Sequence, residues 1–446
     1  KSIRGKKFAG SMKLCLLSSK NISKNYKIRG VSMRIIIANY RYFIAGGPEK
    51  YMFKFMEAAQ KMGIEVIPFS VNNPQNEKTP YSKYFAKPRS NELMYAETKK
   101  TLGNILGMVR ATVWNYDAEN RLQKLIRDTN PDAVYILHEV NHLSPSIIRA
   151  AKKEGVRVVH RISDFFMFCP KYDFLCENEI CEACLHGDYR KAIEHKCVKN
   201  SKAGTILRVL AMKLYAATKV FEDVDQFVCT CEFSKNKLIA GGISKEKVTC
   251  VPTFIDATSI TPCYENNKYF LFLGRMAHQK GTIYAIEAMK YLKNTDYVLK
   301  ITGQISDSKE DQEIWKFIKE NQLEDKIVFT GFKHGKELQD LISHSTCIVC
   351  PAIWYENMPN TVIEAYAYGK PVVASRVGSL AEIVEDGKTG LLFEMKNSED
   401  FSDKLRRFID NPMLSKTLGM NARYKVENDY AVKKHMDSVV RILEGK

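Results

Sequence analysis

Two carboxylates, Glu356 and Glu364, are separated by seven residues around a predicted helix start. Pro359 suits the first position of a helix, and the residues that follow it favour a helix. Glu356 would then lie in the loop before the helix, and Glu364 would lie more than one turn inside it. Unpaired backbone amides near Asn360 and Thr361 would face an anion held between the two carboxylates. This spacing predicts a site for a diphosphate flanked by two hydroxyl-rich rings.

Two cations flank a predicted strand-to-helix turn upstream of that helix. The apolar run Tyr269–Leu273 predicts a buried strand, and a helical pattern covers residues 282–292. Gly274, Arg275 and Lys280 lie between these elements, where an open parallel sheet places anionic ligands. Arg offers phosphate a planar fork and Lys a mobile point charge, so the turn predicts a binding site for a diphosphate.

In this order along the chain, the motifs resemble the retaining glycosyltransferases of the GT4 family. The resemblance covers about residues 33–446 and is most specific over 269–394, where the Gly-Arg/Lys-Gly turn, the two glutamates and a Gly-Lys-Pro-Val strand occur in the family's order. It implies an α/β GT-B fold, in which two Rossmann-like, doubly wound domains face each other across a cleft.

The resemblance implies roles for the charged residues. Arg275 and Lys280 would hold the donor diphosphate and take part in catalysis. Glu356 would also be catalytic, by orienting the hydroxyls of the transferred sugar, and Glu364 would bind the ribose hydroxyls. The donor would be a UDP- or GDP-sugar, and no catalytic metal is implied. The predicted donor-binding set also includes Gly46, Gly47, Gly274, Gly303, Asn357, Met358, Pro359, Asn360 and Thr361.

The acceptor side is less well defined by the sequence. Gly46 and Gly47 fall between the first predicted strand and the first helix, where missing side chains let a backbone approach a ligand, although a simple turn is the alternative. GT4 members commonly have a histidine before an aspartate near the reacting sugar, and this chain has Ser163 before Asp164. We predict that Asp164 is catalytic. His138 and His142 follow the preceding predicted strand; we expect each to be a structural histidine, with a position in the cleft as the alternative.

Length and composition agree with two domains. The chain has 446 residues, of which 45% are apolar, enough for two cores, and no apolar run is long enough to span a membrane. Short apolar runs alternate with helical patterns in both halves, which predicts parallel sheets with crossover helices. The predicted divisions are a basic extension at 1–32, an acceptor-side domain at 33–252, a linker at 253–267, a nucleotide-sugar domain at 268–425 and a final segment at 426–446 that packs back on the first domain.

The basic charge is concentrated at the N-terminus. The whole chain carries +17, and residues 1–32 contain nine Lys or Arg and no acid, which leaves +8 for the rest. This segment lacks the apolar core of a signal peptide, so we expect it to be disordered or non-native, with an arm that touches anionic lipid as the alternative. A nucleic-acid-binding protein would also explain the charge, but no nucleic-acid motif is present, and we expect no nucleic-acid partner.

Five of the twelve cysteines lie in an insertion at residues 169–197. The close pair Cys181 and Cys184, together with Cys176 and Cys197, would supply four thiolates to a structural zinc ion. Atypical outer spacings leave an equal alternative, in which these are small buried side chains. Nothing in the sequence points to secretion, so disulfides are not expected.

A helical stretch at 202–221 combines apolar residues with four basic ones. Such a helix can lie on an anionic membrane, or it can pack in the first domain with its lysines in water. The predicted location is the cytoplasm, and peripheral contact with the inner face of the cell membrane is left open by this helix. The predicted partners are a nucleotide-sugar donor and a saccharide or lipid-linked saccharide acceptor.

The predicted function is transfer of a sugar from a nucleoside-diphosphate sugar to an acceptor hydroxyl, with retention implied by the family. Surface polysaccharide or glycolipid synthesis is the expected setting by analogy. A nucleotide-sugar epimerase on the same fold would use similar phosphate contacts and is one alternative. A catalytically inactive protein is another, because Ser163 replaces the family histidine.

Overall fold

The structure is a computed structural model that describes residues 33–88, 113–140, 142–303 and 309–446. The predicted N-terminal extension at 1–32 lies outside these described residues. Two six-stranded sheets form the framework, and a small two-stranded sheet lies in the cysteine-rich insertion.

The first sheet is parallel throughout and has the order β2-β1-β3-β4-β7-β8. Its β1 contains three consecutive fully buried isoleucines, because helices cover both faces of the sheet. The strands of the first domain are β1 (Met33–Asn39), β2 (Ile64–Phe69), β3 (Ala133–His138), β4 (Arg157–Arg161), β7 (Gln226–Cys229) and β8 (Val248–Cys250), with the insertion hairpin β5 (Leu175–Cys176) and β6 (Glu179–Ile180).

Helices connect these strands as crossovers, as predicted from the alternating pattern. Within the described residues of the first domain they are α1 (Gly47–Lys61), α2 (Tyr116–Thr129), α3 (Ser146–Lys153), α4 (Arg190–Glu194), α5 (Lys202–Ala217) and α6 (Glu232–Ala240). The predicted helix at 202–221 is thus shorter, because Lys219 has a left-handed backbone (φ 53°) and starts a separate 3-10 turn.

The second sheet repeats the topology with the order β11-β10-β9-β12-β13-β14. In each sheet the order in which strands are added reverses once, between β1 and β3 in the first sheet and between β9 and β12 in the second. Doubly wound sheets bind ligands in the crevice at such a switch point. The strands are β9 (Tyr269–Leu273), β10 (Val298–Thr302), β11 (Ile327–Phe329), β12 (Cys347–Cys350), β13 (Val372–Ser375) and β14 (Gly390–Phe393). The helices are α7 (Thr282–Ala288), α8 (Lys309–Glu320), α9 (Gly335–Ser343), α10 (Asn360–Ala367), α11 (Leu380–Ile383) and α12 (Ser398–Asp410).

The chain ends by returning to the first domain. Helix α13 (Pro412–Asp429) belongs to the second domain, and α14 (Val432–Glu444) packs in the core that contains β1 and β3. Tyr51 Oη lies 2.9 Å from Nε2 of His435 in α14, and burial lowers the pKa of His435 to about 3. The predicted boundary at residue 425 falls inside α13, and the helix is interrupted at residues 430–431 before α14 begins.

Candidate active site

Glycines bring three backbone segments together at the carboxyl edge of the second sheet. Gly281 has a left-handed backbone (φ 65°), and a side chain there would place Cβ 1.9 Å from the carbonyl oxygen of Pro351. A Cβ on Gly303 would lie 2.1 Å from the carbonyl oxygen of Gly274. The turns after β9, β10 and β12 therefore meet at the switch point, where only glycine permits the close approach.

Lys280, Glu356 and Trp354 form a contact cluster at this switch point. The Nζ atom of Lys280 lies 2.5 Å from Oε1 of Glu356, and the indole N–H of Trp354 donates to the same oxygen at 2.8 Å. Lys280 Nζ also lies 5.5 Å from the centre of a Trp354 ring. Glu356 is 9% exposed, so its charge is balanced by these two donors. Trp354 received no role from the sequence, although it belongs to the same motif.

Three buried polar atoms around the cluster have no hydrogen-bond partner within the described part of the chain: His278 Nε2, Thr282 Oγ1 and Asn357 Oδ1. Buried polar groups are normally hydrogen-bonded, so these atoms are available to a ligand. His278 and Thr282 flank the end of the β9 turn, and Asn357 follows Glu356. Sequence reasoning did not assign His278 or Thr282, because neither residue type is distinctive without its surroundings.

Arg275 is exposed, and its charge acts on Tyr172 in the cysteine-rich insertion of the first domain. Burial raises the pKa of Tyr172, and the charge of Arg275 acts against that rise. The ring of Tyr172 also makes an edge contact with Trp354 at 6.2 Å. Arg275 and Lys280 thus lie on the same turn, while the insertion borders the cleft beside them.

The loop before α10 is held by contacts with the first domain and with the linker. Asn357 donates to the carbonyl oxygen of Ile162 at 3.5 Å, and the amide of Thr253 donates to Met358 Sδ at 3.1 Å. Helix α10 begins at Asn360, so the placement of Pro359 inside the helix was wrong. Pro359 precedes the helix with an extended backbone (ψ 122°), a conformation that its fixed φ also permits. Thr361 lies in the first turn of α10.

Gly46 and Gly47 differ in what their missing side chains allow. A Cβ on Gly47 would lie 3.0 Å from Nδ2 of Asn360, so this glycine lets the first domain approach the start of α10. Gly46 has an extended backbone that any residue can adopt and caps α1. The close approach across the cleft therefore belongs to Gly47.

Glu364 has different surroundings from Glu356. It lines a cavity between the two domains together with Asn360 of the same helix. The opposite wall carries Lys50 and Lys54 of α1, and Phe254 of the linker closes it. The two glutamates are consequently not equivalent, because within the described residues Glu356 forms an ion pair with Lys280 of the β9 turn and Glu364 forms none.

A second cavity, in the first domain, contains Asp164. Nε2 of His138 lies 3.1 Å from Oδ2 of Asp164, and both residues line this cavity with Ser163. Burial would lower the pKa of His138, but the charge and hydrogen bond of Asp164 raise it above the usual value. The Ser163 hydroxyl donates to the carbonyl oxygen of Leu137 at 2.9 Å. The neighbouring strand β3 thus places His138 in this cavity, whereas the hydroxyl of Ser163 is hydrogen-bonded to the backbone.

The four predicted zinc ligands lie in the insertion as free thiols. Cys176 and Cys197 share a hydrogen bond, while burial raises the pKa of Cys184 and of Cys197 to about 12. Within the described ranges, the set of ligand atoms that converges to within 4.8 Å is a different one, formed by Cys263, Glu265 and His344. The zinc site at Cys176, Cys181, Cys184 and Cys197 stays a prediction.

Comparisons with known proteins identify the class of this protein. Residues 257–425 match the family Glycosyl transferases group 1, and residues 45–259 match Glycosyltransferase Family 4. The chain is 28% identical over 312 residues to an uncharacterised glycosyltransferase of Methanocaldococcus jannaschii. The aligned region covers 65% of this chain and 79% of that relative. The chain therefore belongs to the GT4-type glycosyltransferases, and the predicted family and enzyme class are confirmed.

Two further similarities concern the donor and the fold. The chain is 23% identical over 255 residues to the UDP-Gal:alpha-D-GlcNAc-diphosphoundecaprenol alpha-1,3-galactosyltransferase of Escherichia coli, covering 52% of this chain and 61% of that relative. The structure of Anabaena HepE in complex with UDP-glucose has a TM-score of 0.64 and 14% identity, covering 93% of this chain and 100% of that one. The predicted GT-B fold is confirmed. None of the described helices is long and apolar enough to cross a membrane.

Proposed function

We propose that this glycosyltransferase moves a sugar, with retention, from a UDP- or GDP-sugar to an acceptor hydroxyl. The observation that carries the proposal is the contact of Lys280 with Glu356 at the switch point of the second sheet. A cation for phosphate and a carboxylate for sugar hydroxyls are adjacent there, and the unpartnered atoms of His278 and Thr282 lie in the same turn and at the start of α7. A nucleotide-sugar donor presents both kinds of group.

Donor binding would separate the two charges that pair in the free protein. The diphosphate attracts Lys280 and Arg275, and Glu356 then accepts hydrogen bonds from the hydroxyls of the transferred sugar. In the transfer step the bond between the anomeric carbon and the phosphate oxygen breaks, and the bond to the acceptor oxygen forms on the same face. The acceptor proton passes to the departing diphosphate, whose charge is stabilised by the two cations and the start of α10.

The proposal includes no catalytic metal ion. Asp223 and Asp225 have the spacing of the aspartates that hold metal in some sugar transferases, but both are occupied elsewhere in the described chain. Asp223 forms an ion pair with Arg149 at 2.7 Å, and Asp225 forms one with Lys152 at 2.7 Å. Asp225 also accepts the backbone amide of Val158 at 2.8 Å. These contacts favour a structural role at the end of the first sheet.

The acceptor proposed is a saccharide or a lipid-linked saccharide, in cell-surface polysaccharide or glycolipid synthesis at the inner face of the cell membrane. The cavity that contains Asp164 and His138 is the proposed acceptor side, because it adjoins Ile162, whose carbonyl oxygen receives Asn357 across the cleft. The name of the Escherichia coli relative, which acts on a diphosphoundecaprenol-linked sugar, supports a lipid-linked acceptor.

Calorimetric titration with UDP-, GDP- and ADP-sugars tests the proposal. We expect binding of one base class, loss of affinity in Lys280→Ala, and release of free nucleoside diphosphate when an acceptor is supplied. An epimerase would convert the sugar without releasing nucleotide, and an inactive protein would bind the donor without turnover. Failure of all three donor classes to bind would contradict the proposal.

A further inference from the structure

The outer face of α5 carries a row of exposed apolar side chains. Ile206, Leu210 and Leu214 are 37%, 58% and 36% exposed, and their spacing of four residues places them on one face of the helix. Single exposed leucines are ordinary, and a contiguous row of large apolar side chains is a candidate interaction surface. These three residues form the α5 stripe.

The segment that contains the α5 stripe is basic. Residues 190–219 contain eight Lys or Arg and one Glu, a net charge of +7, and α5 itself contains no acidic residue. Of the eight, Arg208 is buried and Arg190 pairs with Asp188 at 2.7 Å. Lys202 and Lys213 are exposed on α5. An apolar row with basic margins is complementary to a bilayer surface that contains anionic lipids, whereas an ordinary protein partner would not require the excess of one charge.

The opposite face of α5 connects the stripe with the proposed acceptor side. Arg208 is 5% exposed and donates from Nη2 to the carbonyl oxygen of Phe166 at 3.2 Å. Its guanidinium also lies 4.7 Å from the centre of the Phe166 ring. Phe166 and Met167 line the cavity that contains Asp164. One layer of side chains therefore separates the stripe from the acceptor-side cavity.

We propose that the α5 stripe docks the protein on a bilayer containing anionic lipids and holds the acceptor-side cavity near the headgroups. The inference rests on the proposed function for the lipid-linked acceptor, and it adds the surface that reaches the membrane. Three partly exposed side chains give reversible attachment, and the lysines contribute an attraction that salt screens. The site of transfer then lies within reach of a sugar that projects from the bilayer.

Sedimentation of the whole protein with phosphatidylcholine vesicles, with and without phosphatidylglycerol, tests the proposal without any substrate. We expect binding to the vesicles that contain phosphatidylglycerol and a decrease in binding as salt is added. The double variant Leu210→Glu, Leu214→Glu should partition at least about tenfold less. Met413→Glu is the matched control, because Met413 is 61% exposed on α13, and it should bind vesicles like the parent protein.

Measurements of nucleotide binding distinguish a failure of this docking proposal from a failure of the proposed function. Affinities for UDP and GDP should be unchanged in the double variant, since α5 belongs to the first domain whereas Lys280 and Glu356, the proposed donor contacts, belong to the second. If that variant does not fold, the double variant Lys202→Glu, Lys213→Glu tests the same proposal. It should bind phosphatidylglycerol vesicles less tightly, and its binding should depend less on salt. No vesicle binding by the parent protein, equal binding by the stripe variant, or a dimer that the stripe variant dissolves would overturn the proposal. Loss of donor turnover alone would contradict the proposed function and leave the docking surface standing.

Discussion

Lys280 Nζ and Glu356 Oε1 lie 2.5 Å apart although 76 residues separate them in the chain. The family resemblance implied that the cation binds phosphate and that the carboxylate binds sugar, as independent contacts. Their pairing means that each stabilises the other when no donor is bound, since Glu356 is largely buried. A substitution at either position therefore removes a ligand contact and leaves the remaining charge without its partner.

Lys280→Ala should lower donor turnover by about 10²–10³ while the protein stays folded. The lost cation no longer stabilises the departing diphosphate, and a charged hydrogen bond of this kind contributes about 1.5–3 kcal/mol. Steady-state kinetics and circular dichroism measure the two effects. Lys293→Ala, an exposed lysine beyond α7, is the control and should behave like the parent protein. Near-normal transfer by Lys280→Ala would remove this residue from the site.

Donor turnover should be independent of an added divalent ion. Two cations and a helix start already face the proposed diphosphate site, and the paired aspartates Asp223 and Asp225 are held by Arg149 and Lys152. Turnover measured with EDTA, and then with added magnesium or manganese, should be the same. Reversible dependence on either ion would instead assign Asp223 and Asp225 to the reaction. Folded protein must be assayed in parallel, because EDTA would also remove a structural zinc.

Zinc analysis should distinguish the two groups of candidate ligands. If the insertion binds zinc as predicted, protein purified without a histidine tag should contain close to one zinc per chain, as four thiolates complete a structural site. Cys181→Ser should release this metal and destabilise the first domain. Cys263→Ser is the matched control, because Cys263 belongs to the other convergent group. Release by Cys263→Ser alone would place the metal at the linker, and no metal with four titratable thiols would favour buried cysteines.

Local pattern was sufficient to predict the elements that carry the site. Buried apolar runs fixed β9 and its neighbours, and glycine and proline marked the turns around Gly281 and Pro359 correctly to within a residue. Contacts between residues distant in the chain could not be predicted from local pattern, because nothing in the sequence near Glu356 indicates that Lys280 contacts it. The same holds for His278, whose unpartnered nitrogen becomes informative only once its burial is known. Periodicity finds elements, whereas contacts between them depend on topology.

The His138–Asp164 pair should make stability depend on pH in a defined direction. Asp164 raises the pKa of His138 in the folded protein against the effect of burial, so folding stabilises the imidazolium. This contribution is complete below the unfolded pKa of about 6.5 and is lost as the pH rises through the folded value. Asp164→Asn should therefore lower the melting temperature more at about pH 5.5 than at about pH 8.5.

Thermal unfolding of both proteins across this range measures the difference. His160 and Glu139 form a second buried pair, with Nε2 of His160 3.1 Å from Oε2 of Glu139, but this pair is common to both proteins. Its titration should largely cancel in the comparison. An NMR titration of His138 provides the direct check, because its pKa should fall in Asp164→Asn. A melting-temperature difference that does not change with pH would contradict the assigned interaction.

Glu356→Gln and Glu364→Gln should affect different ligands. If Glu364 binds ribose, Glu364→Gln should weaken free nucleoside diphosphate and nucleotide-sugar alike, since both contain that ring. Glu356→Gln should leave free nucleoside diphosphate nearly unchanged and reduce transfer strongly, because a carboxylate that accepts sugar hydroxyls contributes most as the ring distorts toward the transition state. Calorimetry with both ligands on both variants, combined with turnover, measures this division.

The separate surroundings of the two residues, one beside Lys280 and one beside Lys50 and Lys54, are the structural reason to expect it. Equal effects of both substitutions on both ligands would make the two carboxylates structural and would move the donor site elsewhere in the cleft.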